Sequence, residues 1–397
     1  MQKMRSEDTV MEEEFKEYKI EEKNEHPYEE DLSKLSDQDK KRMVHAGIDI
    51  DSGDKSGTFL MKDQSVVHCN IAQESVELLS MEQAFGNYDW LEKYWWKLVS
   101  PDKDQYTKVV KENDGQGYFI RAKKGQKALF PVQTCLYLEH SGTIQSVHNV
   151  IIAEEGSEVD IITGCTSKEK ANKTSAHLGV SEIYVKKGAR VTYSMIHNWD
   201  EDVKVRPRTG VKVEEGGQFI SNYISMKAVK DVQMSPSAHL TGKGATSSFN
   251  SILVAPEGAH LDIGANVYLE AEKTSTDIVS KALTTGGEII SRGLISGEGL
   301  QARGHLECQG LVLSDKGRIY TIPELDGKLS DIDLSHEAAV GKVAQDEIEY
   351  LMARGLTEDQ AISIIVKGFL SAEIKGLPEI LKKEIDSNVQ KIEKDAF

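Results

Sequence analysis

The residues best suited to chemistry gather late in the chain, across residues 302–343, which read ARGHLECQGLVLSDKGRIYTIPELDG and then LSHEAAVGKV. Cys308 sits in an alternating run beside His305 and Glu307, and His336 and Glu337 follow. A thiolate is a soft ligand, imidazole is borderline and carboxylate is hard, so such a set can bind iron or zinc. The same residues also have plainer uses. Cys308 can be a small buried hydrophobe, and His336–Glu337 can open a helix with Ser335 as its cap. The other cysteines, Cys69, Cys135 and Cys165, lie far apart and form no CxxC pair or zinc-finger spacing. There is no GxxxxGK[ST], HExxH or GxSxG, and the glycine-rich SGEGLQARG at residues 296–304 reads as a turn.

Something must hold these side chains, and a repeat is the best candidate. A phrase of two charged residues, a glycine and then alternating apolar residues returns at Gly156, Gly188, Gly216, Gly258, Gly287 and Gly317. Most steps are roughly 28–32 residues, with Gly258 near a half step, which is the signature of a stacked architecture. The runs are β-branched and aromatic, with no long amphipathic helix between them. This predicts a parallel β-solenoid over residues 115–333, in which each coil buries its inner face only by stacking on the next. Glycine supplies the positive φ that such turns need. A β-sandwich is the alternative, but Asn-Gly and Asp-Gly hairpin pairs are scarce.

Three other regions flank this core. Residues 1–31 are an acidic arm, with a charged helix possible over 12–23. Residues 32–114 form a mixed, helical region. It opens with a short helix capped by Ser36 and stopped by Gly47, and its aromatic stripe at 81–98 is expected to be a packing anchor. Residues 334–397 are expected to be helical. Val340, Val343, Ile348 and Leu351 mark a first helix ending at Gly355. Thr357 and Gln360 form a capping box for the second, and 377–396 a charged third.

Composition narrows the function classes. The chain has 397 residues, of which 39% are hydrophobic and 28% charged, enough for a large core. Its net charge of −17 disfavours nucleic acid as a partner. No stretch approaches the roughly 20 apolar residues of a membrane span, and the N-terminus has no signal-peptide pattern, so a cytoplasmic location is expected. A β-helix polysaccharide lyase or hydrolase would need clustered carboxylates and usually a secretion signal, and neither is present.

Residues 302–369 resemble the C-terminal signature of the SufB/SufD family, scaffold proteins of the SUF iron–sulfur cluster assembly system. The matching pieces are RGHLECQGLVLSDKG, IPELDG, LSHEAAVGKV, DEIEYLMARGL and EDQAISIIVKGF. The likeness extends upstream through IIAEEGSEVDIITGC, HLGVSEIYVKKGARVTYSMIHNWD and GKGATSSFNSILVAPEGAHLDIG. The resemblance implies a right-handed parallel β-helix core with helical N- and C-terminal regions. It implies a scaffold rather than an enzyme, which assembles a transient iron–sulfur cluster at a dimer interface. It also implies a SufC-type ABC ATPase bound to the C-terminal helices, a second copy or a SufB/SufD paralogue as dimer partner, and a sulfur donor protein. By the same resemblance Cys308, His336 and Glu337 are the cluster-binding and metal-binding residues, Cys165 and Cys308 carry sulfur, and Trp199 lines an internal sulfur route. The chain departs from SufB where His197 replaces a usual Gln, where TCLYLEH lacks an Arg-containing pattern, and where an N-terminal multi-cysteine motif is absent. It therefore looks like a short SufB-like member that works with itself; a SufD-like structural partner without its own cluster is the alternative.

Overall fold

A computed structural model describes residues 18–19, 25–113, 116–168, 173–227 and 229–370. The helices expected over 12–23 and 377–396 lie outside or largely outside the described residues.

Strands returning in parallel register build a β-solenoid of about eight turns. Among the described residues they form a ten-stranded and an eleven-stranded sheet. One column of the larger-period register runs Glu158, Arg190, Gln218, Thr246, Ser275, Arg303 and Asp333, each pairing with the next one coil on. Alternate residues point inward, and their side chains fill a continuous interior from Phe59 to Cys308.

The turn glycines fall at two corners. Gly125, Gly156, Gly188, Gly216 and Gly244 stack at one corner with φ between 62° and 69°. Each donates its N–H to a carbonyl of the next coil, as from Gly156 to Lys187 and from Gly188 to Glu215. The column continues through Lys273 and Gln301, which adopt φ of 59° and 57° without being glycine. Gly258, Gly287 and Gly317 serve the opposite corner, between the ten-stranded and the eleven-stranded sheet, which explains the half step in the repeat.

The solenoid is longer than expected at both ends. Gly57–Lys62 already pairs in parallel with Val132–Leu138, well before residue 115. At the other end Asp333–Lys342 is a strand, not the start of a helix. Its partner Arg303–Val312 offers ten in-register positions, and Leu334, His336, Ala338 and Val340 continue an every-second-residue inner face. The helix begins only at Gln345 and ends at Met352, with Gly355 at φ 96° beyond it. The last described helix, Glu358–Leu370, carries the expected capping box: Gln360 N–H donates to Thr357 Oγ1, and Thr357 N–H to the Gln360 amide oxygen.

Helices cover the outer faces. Asp37–His45, capped by Ser36, packs Met43 onto the ten-stranded sheet, and Val366 and Leu370 cover the other end of the same face. The approach is close beside Cys165: a Cβ on Gly164 would lie 2.5 Å from the Ala46 carbonyl. The aromatic stripe packs on the eleven-stranded sheet as expected, with Trp95 stacked 3.5 Å from His148. No helix among the described residues is long and apolar enough to cross a membrane.

Candidate functional site

Cys308 lies on the strand Arg303–Val312, whose inward positions include Leu306 and Cys308. It is only 3% exposed, and its Sγ sits 3.9 Å from Ser291 Oγ. Burial pushes the thiol pKa up, the Ser291 hydroxyl lowers it, and Glu307 raises it again. Inside the isolated chain it is therefore a protonated, quiet thiol.

One strand covers Cys308 before the solenoid ends. In that last strand Ala338 pairs with Cys308, His336 with Leu306 and Glu337 with Glu307. In-register neighbours in a parallel sheet share a face. His336 therefore shares the inner face with Cys308, whereas Glu337 stands on the outer face beside Glu307. Both are exposed, because no further coil stacks on them. The structure thus brings Cys308 and His336 to one face and sets Glu337 on the other. Among the described residues, three ligand atoms within 4.8 Å of one another occur at His26, Asp63 and His140, not at Cys308, His336 and Glu337.

Cys165 is fully buried on Glu158–Ser167, inward-facing, with His197 beside it in register. Burial holds its pKa far above the ordinary thiol value, and Cys135 adds to this. His197 Nδ1 lies 2.8 Å from the Tyr223 hydroxyl, while its Nε2 and the Trp199 Nε1 have no hydrogen-bond partner. His177 Nδ1 lies 2.9 Å from the Gln145 side-chain oxygen, and its ring is 5.0 Å from Trp199. A second register column carries Tyr223, Ser251, Ser280 and Cys308 along the same inner face. Ser280 Oγ is also without a partner. Five strand steps separate the Cys165 and Cys308 strands, about 24 Å at ~4.8 Å per step. The two thiols cannot touch within one chain. Sequence reading missed His177, Ser280 and Ser291, whose only signal is their every-second-residue position once the coil length is known.

These imidazoles tie stability to pH. Burial pushes His177 down to about 3, and burial, then His177, holds His197 well below its ordinary value. An unfolded imidazole takes up a proton near pH 6.5. Below that pH the unfolded chain binds more protons than the folded one, so stability falls as pH drops. The loss is at most about 1.4 kcal/mol per pH unit per histidine, and the contribution is complete above pH 6.5. The urea midpoint should therefore fall between pH 7.5 and 5, less steeply in His177→Gln; equal slopes would contradict neutral burial.

The geometry defines a parallel β-helix with thiols and neutral imidazoles lining its interior, a thiol one strand from its open end and an imidazole on the same inner face of the last strand. A family model described as "SUF system FeS cluster assembly, SufBD core domain" matches residues 136–369. An iron–sulfur cluster assembly SufBD family protein of Archaeoglobus fulgidus is 47% identical, over 90% of this chain and 96% of its own. A counterpart in Methanothermobacter thermautotrophicus is 43% identical, over 86% of this chain and 84% of its own. The iron–sulfur cluster assembly protein SufB of Bacillus subtilis is 33% identical, over 74% of this chain and 63% of its own. The chain belongs to the SufBD family, and this membership supports a role in iron–sulfur cluster assembly.

Proposed function

We propose that this chain is a scaffold subunit on which a transient iron–sulfur cluster is assembled between two copies joined at their open ends. The observation that carries this is the position of Cys308 and His336 on one inner face at the end of the solenoid, beneath an uncapped apolar coil. Leu325 and Val340, in inward register, are 39% and 43% exposed in the single chain. Burying the exposed part of such side chains against a second copy is worth roughly 1 kcal/mol each. The union also pairs sheet edges otherwise left open. Each copy then contributes Cys308 and His336, and Glu337 enters as a ligand from the rim.

The cluster is cargo, and mixed thiolate, imidazole and carboxylate ligation suits release better than four cysteines do. Cys165 is the receiving thiol for sulfane sulfur from a donor protein. The unpartnered polar atoms of His197, Trp199 and Ser280 favour a polar route from it toward Cys308. A SufC-type ABC ATPase on the C-terminal helices supplies the ATP hydrolysis, and the scaffold itself turns over no substrate.

Anaerobic co-purification with such an ATPase, iron and sulfide present, tests this. The wild type should elute as a dimer-containing complex with visible iron–sulfur absorbance. Leu325→Asp should give a colourless complex with a monomeric, folded scaffold, its melting temperature lowered only by the loss of the contact between copies. A coloured, dimeric Leu325→Asp complex, or a colourless wild type, would refute the reading.

A further inference from the structure

Far from Cys308, at the first coils, three chain segments converge on one carboxylate. His26 comes from the N-terminal arm, Asp63 from the two-residue turn between the paired Lys62 and Ser65, and His140 from the segment after the strand Val132–Leu138. His26 Nε2 and His140 Nδ1 each lie 2.8 Å from Asp63 Oδ2. We propose that His26, Asp63 and His140 form a binding site for one divalent first-row transition cation of the zinc(II) type.

The donor set is the first argument. Two imidazoles and a carboxylate, all within 4.8 Å of one another, are a ligand set that zinc and iron(II) sites use with a further position left for water. A neutral imidazole can move its proton to the far ring nitrogen, so both facing nitrogens can present lone pairs without net proton release. Metal–ligand bonds of about 2.0–2.1 Å in a tetrahedron place donors roughly 3.3 Å apart. The two imidazole–carboxylate separations must therefore widen by about half an ångström. His26, on the arm, and His140, 45% exposed, can supply that movement.

Preorganisation is the second. Asp63 is 2% exposed at its side chain and holds φ at 48°, a conformation that non-glycine residues rarely adopt. Its other carboxylate oxygen accepts the N–H groups of Glu139 and His140. Its own N–H donates to the Tyr137 carbonyl, and its carbonyl accepts from the Gln145 side-chain amide. Every other polar atom of Asp63 is thus occupied, and Oδ2 alone is turned to the two imidazoles. This is the supporting arrangement that orients a metal-bound carboxylate. His26 N–H also donates to Ser65 Oγ, so the arm is registered at the site.

The site holds no thiol and lies at the end of the solenoid opposite Cys308, so an ion there is resident rather than cargo. It would tie the N-terminal arm to the first coils, and ligand binding to the folded state alone raises stability. The proposal is independent of the scaffold reading.

The test uses the full chain stripped with EDTA and titrated with Zn²⁺ or Co²⁺ alone. One Zn²⁺ per chain should bind and raise the melting temperature. The Co²⁺ form should show d–d bands without a thiolate-to-cobalt charge-transfer band. His26→Asn and His140→Asn should each weaken binding at least tenfold, while Cys135→Ala should leave it unchanged. His26 lies on the peripheral arm, so its variant keeps the test open even if His140→Asn does not fold. A thiolate band, loss of the ion in Cys135→Ala, failure to bind Zn²⁺, or unchanged affinity in His26→Asn would each overturn the proposal.

Discussion

Cys308→Ala should lose at least nine-tenths of the iron and sulfide that the wild type takes up on anaerobic reconstitution, while remaining folded. The thiol is the soft donor on the inner face at the open end, and alanine cannot replace it. The structural cost is small. Removing one sulfur atom from a site already bordered by the small residues Ser280, Ser291 and Ala338 leaves a minor void, worth about 1 kcal/mol. Cys135→Ala is the matched control. That thiol is equally buried, and its pKa is pushed up to about 12 by burial, but it belongs to the cluster on the outer face of the ten-stranded sheet. Its loss should leave iron uptake unchanged. Equal uptake by Cys308→Ala and wild type, or equal loss in the two variants, would remove Cys308 from the site.

Glu182→Ala should cost about 3–5 kcal/mol of stability, because each buried donor left without its acceptor costs about 1–3 kcal/mol. This carboxylate is fully buried and accepts the backbone N–H groups of Trp96, Lys97, Leu98 and Val99, together with His148 Nε2. It holds the aromatic segment in place, including Trp96 at φ 56° and Trp95 stacked on His148. Truncation leaves four backbone donors and an imidazole without their acceptor, each a desolvated polar group. Glu182→Gln keeps one acceptor oxygen and should lose less. Urea unfolding followed by tryptophan fluorescence reads both the stability and the local environment. A loss below about 1 kcal/mol would show that the segment is anchored by its aromatic packing instead.

Local chemistry was legible in the residues; long-range register was not. The Ser36 cap and the Thr357–Gln360 box depend on atoms three residues apart, and both form as read. The solenoid followed from turn glycines, yet Lys273 and Gln301 occupy the same left-handed corner unseen, because their side chains do not announce a positive φ. Residues 334–342 carried apolar spacing compatible with a helix. The sheet edge of Arg303–Val312 decided for a strand, a tertiary effect that no local window contains. Cys308 and His336 stood out by residue type, but which of His336 and Glu337 shares the thiol's face depends on strand parity. The group at Asp63 draws its members from three distant segments and had no sequence signature.

The stacked corners make the molecule a ruler marked in whole coils. Splicing in one complete turn between residues 165 and 308 would move the two sulfurs apart by one increment, ~4.8 Å, with both still facing the lumen. Inserting a single residue within either strand would instead rotate its cysteine to the exterior. The distance sulfur must cross is thereby digitised, and length changes in this stretch should be tolerated only as integral coils.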